Sequence, residues 1–404
     1  MLASESGNAI GKPFPRIILV WAAVDWSIYM RRPMVSALAE SAAAFGSTVV
    51  AVDRPLCPFS TIVRKPARLT QLFGGPRLER LAPNLFLYHP KYVIHDQFAN
   101  GVPFLERLNL ASLRRSYGHL QKQLGITEPS PMIWYNYPQQ GYVVDLFDSS
   151  FCIFEIYDNL TDLIGGEAAT VGRLMTKRRG RVDLLLTTSQ KIHDKYASGY
   201  RRSFLFGNGL DRKSFQRLSD PATAGSPEIM AIPSPRIGYA GMISERLDWN
   251  LIIELARLEP NWNFVFAGRV ADSRIYDRVK ETPNVRLLGD FDHSQVPAIL
   301  RSFDVGIMPY QDTPFFHFLN PLKFYDLAAA GLASVSSNIE HLRQFPSDLV
   351  QVVPNRADAW REALRRKLDV DRNIARRIGP EVAGRFIWED MTASLLHKIQ
   401  DDYL

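Results

Sequence analysis

From residue 236 onward the chain alternates short apolar runs with helical patterns, and this alternation constrains its fold more than any other feature. Residues 236–240, 264–268, 285–288 and 305–309 are apolar runs of strand length. Between them Leu251, Ile252, Leu255 and Ala256, and later Val296, Ile299, Leu300 and Phe303, recur at helical spacing. Strands joined by crossover helices lie parallel, with helices on both faces of the sheet. In such a sheet the loops at the carboxyl ends of the strands line the binding crevice. The spacing predicts a doubly wound α/β sheet and says where its site should lie.

The first half has the same pattern in a less regular form. Residues 16–24 are a continuous apolar run, as in a strand covered on both faces. A helical pattern follows through Val35, Leu38, Ala39, Ala42 and Ala43, and Gly46 precedes the next strand at 48–53. Further strands are predicted at 85–88, 132–135, 152–157, 182–189 and 202–206. Asp25, Arg31 and Arg32 follow the first strand, so they are placed at the mouth of a cleft, with surface loop charges as the plainer alternative. Asp158 follows the strand at 152–157. A carboxylate beside Tyr157 can be partly desolvated and its pKa raised, which suits a general base. The alternative is a simple helix N-cap. His89, His95 and His317 are reserve candidates.

Two cores are expected for 404 residues. Residues 219–235 hold Pro221, Pro227, Pro233 and Pro235 among Ser, Ala and Gly. The predicted division is therefore 1–211, a linker at 212–235, a second domain at 236–384 and a closing segment at 385–404. Cys57 and Cys152 give neither a disulfide framework nor metal-ligand spacing, so a reducing cytoplasm is the expected compartment. No run approaches the length that spans a bilayer, and the first fifteen residues lack an apolar signal core.

The net charge of +6 is unevenly spread. Between Arg54 and Leu78 five basic residues are interleaved with apolar ones and no acidic residue occurs. Residues 54–80 could dock on an anionic membrane, form a solvated loop, or make a weak nucleic-acid patch. The first is preferred and nucleic acid is not an expected partner. Arg114, Arg115, Lys122 and the cluster at 177–181 add to the basic side.

The richest site candidates lie in the second half. Gly241 lets backbone approach a ligand, Met242 follows it, and Arg246 can reach phosphate. Tyr310 follows the strand at 305–309. Residues 320–331 read as a helix with Asn320 as N-cap, Pro321 at the first helical position and Gly331 as the stop. Its N-terminus favours anions. Lys323 adds a full charge in the first turn, and Asp326 lies over the same face. A cation for phosphate and a carboxylate for hydroxyls suit a nucleotide diphosphate and its ribose. The plainer alternative is a buried helix with a solvated Lys/Asp pair. Neither GxGxxG nor a Walker sequence is present, which argues against a dinucleotide oxidoreductase and a P-loop NTPase.

Several motifs occur in order: Ser189 before a helix, the glycines and Asn208 at 207–209, the run 238–241, residues 284–289, the run 303–310, and 320–331. Together they resemble the GT-B glycosyltransferases of bacterial surface-polysaccharide and exopolysaccharide assembly, of the family 1/4 type. A looser likeness is to the exopolysaccharide glucuronosyltransferases. The resemblance implies two Rossmann-like domains facing a cleft, the first for the acceptor and the second for the donor, with the closing helix crossing back. By resemblance Arg246 and Lys323 are diphosphate ligands and Asp326 the ribose ligand. Met242 and Tyr310 contact the base or donor pocket, and Asp158 stands at the position of the general base. Many retaining members place glutamates at both ends of an E-x7-E element, where this chain has Phe318 and Asp326.

The expected chemistry is transfer from a nucleotide diphosphate sugar, UDP-sugars above others, to a lipid-linked or polysaccharide acceptor. No Asp-x-Asp pair stands at a strand end, and no cofactor or metal is expected; Arg246, Lys323 and the helix N-terminus take the leaving charge. The catalytic pair is Asp158 and Asp25, and the donor ligands are Gly241, Met242, Arg246, Tyr310, Asn320, Lys323 and Asp326. Two alternatives are a GT-B nucleotide-sugar epimerase and a non-catalytic sugar-nucleotide-binding subunit. The expected location is the cytoplasm, at the inner membrane face.

Overall fold

The computed structural model describes residues 13–22, 24–54, 76–90, 94, 99, 102–127, 130–148, 150–160, 168–369 and 372–404. Two sheets organise them. The first comprises β1 (Ile17–Trp21), β2 (Thr48–Val52), β3 (Arg77–Ala82), β4 (Leu85–His89), β5 (Met132–Tyr135), β6 (Cys152–Ile156), β7 (Leu184–Thr187) and β8 (Ser203–Leu205). Its order is β3-β4-β2-β1-β5-β6-β7-β8, with every pairing parallel except β3 against β4. The second holds β9 (Arg236–Ala240), β10 (Asn263–Ala267), β11 (Val285–Leu287), β12 (Val305–Met308), β13 (Ser334–Ser336) and β14 (Val350–Val352). It is wholly parallel, in the order β11-β10-β9-β12-β13-β14.

All five residues of β1 are buried, as a central strand with both faces covered requires. One face packs on α1 (Arg32–Ala43) through Met34, Val35 and Leu38. Two further helices of the first half are α2 (Pro103–Leu124), stopped by Gly125 at φ +66, and α3 (Ala168–Arg178). In the second half α4 (Leu322–Ala329) connects β12 to β13 and ends before Gly331, which adopts φ +64. The chain closes with α5 (Trp388–Tyr403). Trp388, Leu395, Leu396 and Ile399 form one stripe of that helix and are buried with β1 and α1. Each such side chain contributes roughly 1.5–3 kcal/mol of burial. The entry to α5 is fixed by Leu210, whose N–H donates to Phe386 O (2.9 Å) and whose carbonyl accepts from Trp388 N (2.8 Å).

One expectation needs correction, and two elements were not foreseen. Residues 77–82, the end of the basic segment, are the antiparallel edge strand β3; residues 55–75 lie outside the described residues. Residues 212–235 are not a bare linker. They hold helices at Arg212–Ser219 and Pro227–Met230, and Leu218, Ile229 and Ile232 are buried in the second core. The long α2 was unforeseen, because buried Glu106, Asn109 and Ser116 interrupt its apolar stripe.

Candidate functional site

The strand order of the second sheet reverses between β9 and β12, which places a crevice at their carboxyl ends. A cavity of about 140 Å³ occupies it, lined by Ala240, Gly241, His293, Ile307, Lys323 and Asp326 among others. Two glycines make the crevice possible. Gly241 has φ +141, and a Cβ there would stand 1.8 Å from Lys323 Nζ. Gly268 has φ +144, and its Cβ would stand 1.9 Å from Gly241 O. Both glycines are needed where β9 and β10 end against each other and against α4.

Lys323 is held at the floor of the crevice. Its Nζ donates to Ala240 O (2.6 Å) and lies 4.9 Å from the centroid of the Tyr239 ring. An ammonium has three protons, so two remain for a ligand. Burial holds its pKa below the ordinary lysine value, and nearby Asp326 works against that shift. Asp326 lies three residues on. Burial lifts its carboxyl to about 6, against the opposing charges of Lys323 and His293 and with reinforcement from Asp211. No side chain caps the first turn of α4, and Phe324 N–H donates to Pro321 O (3.1 Å), which leaves the earlier N–H groups of the turn without a side-chain acceptor.

A second cavity, also of about 140 Å³, shares Asp326 in its lining. It runs from Arg31, Gly209 and Trp388 in the first half to Leu322 and Asp326 in the second. Asp326 and His293 therefore wall both cavities.

Asn320 does not cap α4. The N-cap position is Pro321, and Asn320 is buried with every polar group of its side chain engaged elsewhere. Its Nδ2 donates to Thr188 O (2.8 Å) at the end of β7, and its Oδ1 accepts from Tyr325 OH (2.9 Å). Its own carbonyl accepts from Asn208 Nδ2 (2.7 Å). Asn208 in turn receives Arg31, which also pairs with Glu155 on β6. Arg31 is thus no surface charge at a cleft mouth. It is buried between Glu155, Asn208 and the Trp388 ring, 4.8 Å from the ring centroid. Glu155 completes its shell by accepting from Trp134 Nε1 and Asn136 Nδ2, both at 2.8 Å. The network ties the first sheet to the segment that carries α4.

The structure brings Gly241, Lys323 and Asp326 together in the lining of the crevice, while Met242, Arg246 and Tyr310 are not among its lining residues. Arg246 is exposed on the rim, its guanidinium 5.6 Å from the Phe315 ring centroid. Met242 is exposed, and its carbonyl accepts from Tyr239 OH (3.0 Å). Tyr310 is buried, stacked on Phe316 at 5.0 Å, and does not line the cavity. Asp158 and Asp25 follow β6 and β1, two positions apart in the first sheet, at its carboxyl end. Asp158 Oδ1 accepts from Asn159 N (2.8 Å). Among the reserve histidines, His89 pairs with Asp53 (3.0 Å) and His317 with Asp312 (2.6 Å); His95 lies outside the described residues. Phe318 packs against the first core, with the Lys191 and Lys195 ammoniums 5.2 and 4.8 Å from its ring centroid.

His293 was missed, although its setting was legible. Asp292 and Gln295 form a capping box around it, the D-x-x-Q pattern of a helix start.

Comparison with known proteins agrees with this geometry. Residues 234–369 match the family described as glycosyl transferases group 1. Over 224 residues the chain is 25% identical to a protein of Bacillus subtilis (strain 168) provisionally named the teichuronic acid biosynthesis glycosyltransferase TuaH. That match covers 51% of this chain and 55% of the relative, so it spans only about half of the relative's length. Sucrose-phosphate synthase from Thermosynechococcus elongatus superposes with a TM-score of 0.64 at 17% identity, covering 94% of this chain and 97% of that one. An Escherichia coli trehalose-6-phosphate protein bound with UDP-2-fluoro glucose gives 0.64 at 12% identity, covering 95% and 99%. The chain has the GT-B fold, two parallel-sheet α/β domains.

Proposed function

We propose that this chain is a glycosyltransferase that passes a sugar from a nucleotide diphosphate sugar, UDP-sugars first among them, to a hydroxyl of a lipid-linked or glycan acceptor in surface-polysaccharide assembly. The observation that carries the proposal is the meeting of Gly241, Lys323 and Asp326 where the strand order reverses. A diphosphate laid against the bare backbone of Gly241 meets two protons of Lys323 and the uncapped turn of α4. Ribose hydroxyls then fall one turn along, at Asp326. The group 1 match at 234–369 and the likeness to a protein bound with UDP-2-fluoro glucose support this donor class.

In the transfer the bond between the anomeric carbon and the diphosphate oxygen breaks, and its electron pair leaves on the diphosphate. Lys323 and the N-terminus of α4 stabilise that charge without calling on a metal. The acceptor oxygen forms the new bond, and in an inverting reaction its proton passes to Asp158.

The test is a screen of nucleotide sugars with membrane extract as acceptor source, read as released nucleoside diphosphate. Release from one donor class, dependent on extract, is expected. Release from none would defeat the proposal, and an epimerised sugar formed without extract would replace it with an epimerase. With the donor identified, Asp158→Asn should lower turnover about 100- to 10,000-fold; unchanged turnover removes Asp158 from the reaction.

A further inference from the structure

Helix α2 carries a surface that the transfer reaction does not use. Leu110, Leu113, Tyr117 and Leu120 turn into the first core, and Tyr88 OH donates to Ser116 O (2.8 Å) beneath the helix. The opposite face begins with three apolar side chains left in solvent: Val102 is 44% exposed, Phe104 67% and Leu108 37%. Phe104 and Leu108 are one turn apart and so project together. Arg107 flanks them, and Ala111, Arg115 and Lys122 continue the exposed stripe down the helix.

Among the described residues the exposed faces of α2 and α3 carry no acidic side chain, while Asp148 is exposed on the loop before β6. Glu106, the one acidic residue of α2, faces inward and pairs with Lys177 (3.0 Å) and Arg178 (2.7 Å) of α3. Asp145 takes the other side of Arg178 at 2.8 Å. The exposed side of α3 adds Arg173 and no acid. The result is an apolar tip followed by a basic stripe.

Topology says where this tip points. β4 and β5 both run parallel to β1 and β2, and α2 lies between them in sequence. A helix connecting parallel strands runs back from their carboxyl ends to their amino ends. The first turn of α2 therefore stands at the end of the sheet that carries Asp25 and Asp158. Ile28 and Met30, on the loop after β1 at the same end, are 66% and 73% exposed.

We propose that the N-terminal turns of α2 dock on an anionic lipid bilayer, with Val102, Phe104 and Leu108 entering the interface and Arg107, Arg115, Lys122 and Arg173 meeting lipid phosphates. The argument for a bilayer is charge and shape. A small apolar tip with basic residues behind it, on helix faces that carry no exposed acid among the described residues, suits a surface that is apolar below and negative above. Among the described residues no helix is long and apolar enough to cross a membrane, so this attachment is peripheral and salt-sensitive. It would also turn the cleft of the first domain toward the membrane.

The experiment needs neither donor nor acceptor, so its outcome is independent of the transfer proposal. The full chain is sedimented with vesicles of phosphatidylcholine alone or mixed with phosphatidylglycerol, at low and high salt. Wild type should pellet only with the mixed vesicles and leave them at high salt. Arg107→Gln and Arg115→Gln should each weaken partition roughly fivefold. The pair Phe104→Ser with Leu108→Ser should weaken it further while the circular dichroism and melting temperature stay unchanged. Phe104→Trp should show a blue-shifted difference fluorescence with the mixed vesicles. Vesicle binding unaltered in both sets of variants would overturn the proposal by placing the membrane contact elsewhere. No wild-type binding at low salt would overturn it too, as would a wild-type dimer that Phe104→Ser renders monomeric without any vesicle effect.

Discussion

Replacing Lys323 with alanine tests the donor crevice at its most charged point. The ammonium sits on Ala240 O at 2.6 Å, with Gly241 too close for any side chain to intervene. Removing it takes away one preorganised cation from a diphosphate that gains negative charge as the sugar leaves. Contacts of that kind are worth about 2–4 kcal/mol in the transition state, or roughly 30- to 1,000-fold in kcat/KM. The loss should be uneven. A free nucleoside diphosphate carries the charge that only develops in the intact donor, so product affinity should fall more than donor affinity. The assay is nucleoside diphosphate release at varied donor concentration, with calorimetric binding of donor and of product. Stability must be measured beside it, because Lys323→Ala also leaves Ala240 O without its partner. A hydrogen bond to a charged group is worth about 1.5–3 kcal/mol, while removing a buried ammonium relieves its desolvation, so the two largely offset. A fall in kcat/KM below threefold, or one matched by loss of folded protein, would refute the reasoning.

The remaining predictions concern Asp326, Gly238 and Arg31. The folded-state pKa of Asp326 is about 6 against an ordinary 3.8, so the folded protein binds the extra proton between those values. Nucleotide affinity, followed calorimetrically, should therefore rise as pH increases through about 6 and then level off, and Asp326→Asn should abolish the rise. The same group weakens the fold as pH rises across that window, so Asp326→Asn should stabilise the protein at neutral pH by on the order of 2 kcal/mol. Gly238→Ala would set a Cβ 2.0 Å from the Phe303 ring. It should cost about 1–3 kcal/mol by overpacking, seen as a lower melting temperature. Arg31→Met leaves the buried Glu155 carboxylate unpaired and should cost about 3–5 kcal/mol in urea unfolding; a change under 1 kcal/mol would mean that water or a shifted side chain replaces the guanidinium.

The legible parts of this chain are those set by local pattern. Strands β9 to β12 of the second sheet, the left-handed Gly331 after α4 and the close approach at Gly241 all follow from spacing and residue type. Lys323 and Asp326 were legible because one turn of helix fixes their separation whatever surrounds it. Tertiary demands decided the rest. β3 pairs at the sheet edge with its side chains largely in water, so RLERLA shows no alternation to detect. The proline-rich stretch before β9 looked like a linker because composition does not reveal that Ile229 and Ile232 are covered by the second core. Arg31 looked like a loop charge because its partners Glu155 and Asn208 are distant in sequence.

Asn320 and Phe318 show how one short segment can be claimed by two tasks. A local reading gives Asn320 to the helix as its cap, and resemblance makes position 318 a sugar-binding carboxylate. In the folded chain both positions face the other domain. Ser189 Oγ donates to Phe318 O at 2.9 Å, Asn320 Nδ2 reaches Thr188 O, and Asn208 closes on Asn320 O. The Phe318 ring meets two lysines of the helix Gln190–Tyr196 in place of a ligand. Lysine ammoniums over a ring gain about 0.5–2 kcal/mol, depending on their hydration, and a carboxylate at the same place would have formed ion pairs with them. The segment that presents Lys323 and Asp326 is therefore anchored to the first domain by side-chain donors of Ser189, Asn208 and Asn320 onto backbone carbonyls. Such anchoring ties the segment that carries Lys323 to the end of β7 in the first sheet. An aromatic ring offers no hydrogen bond to a hydroxyl, so position 318 cannot serve here as the carboxylate ligand that the resemblance would place there.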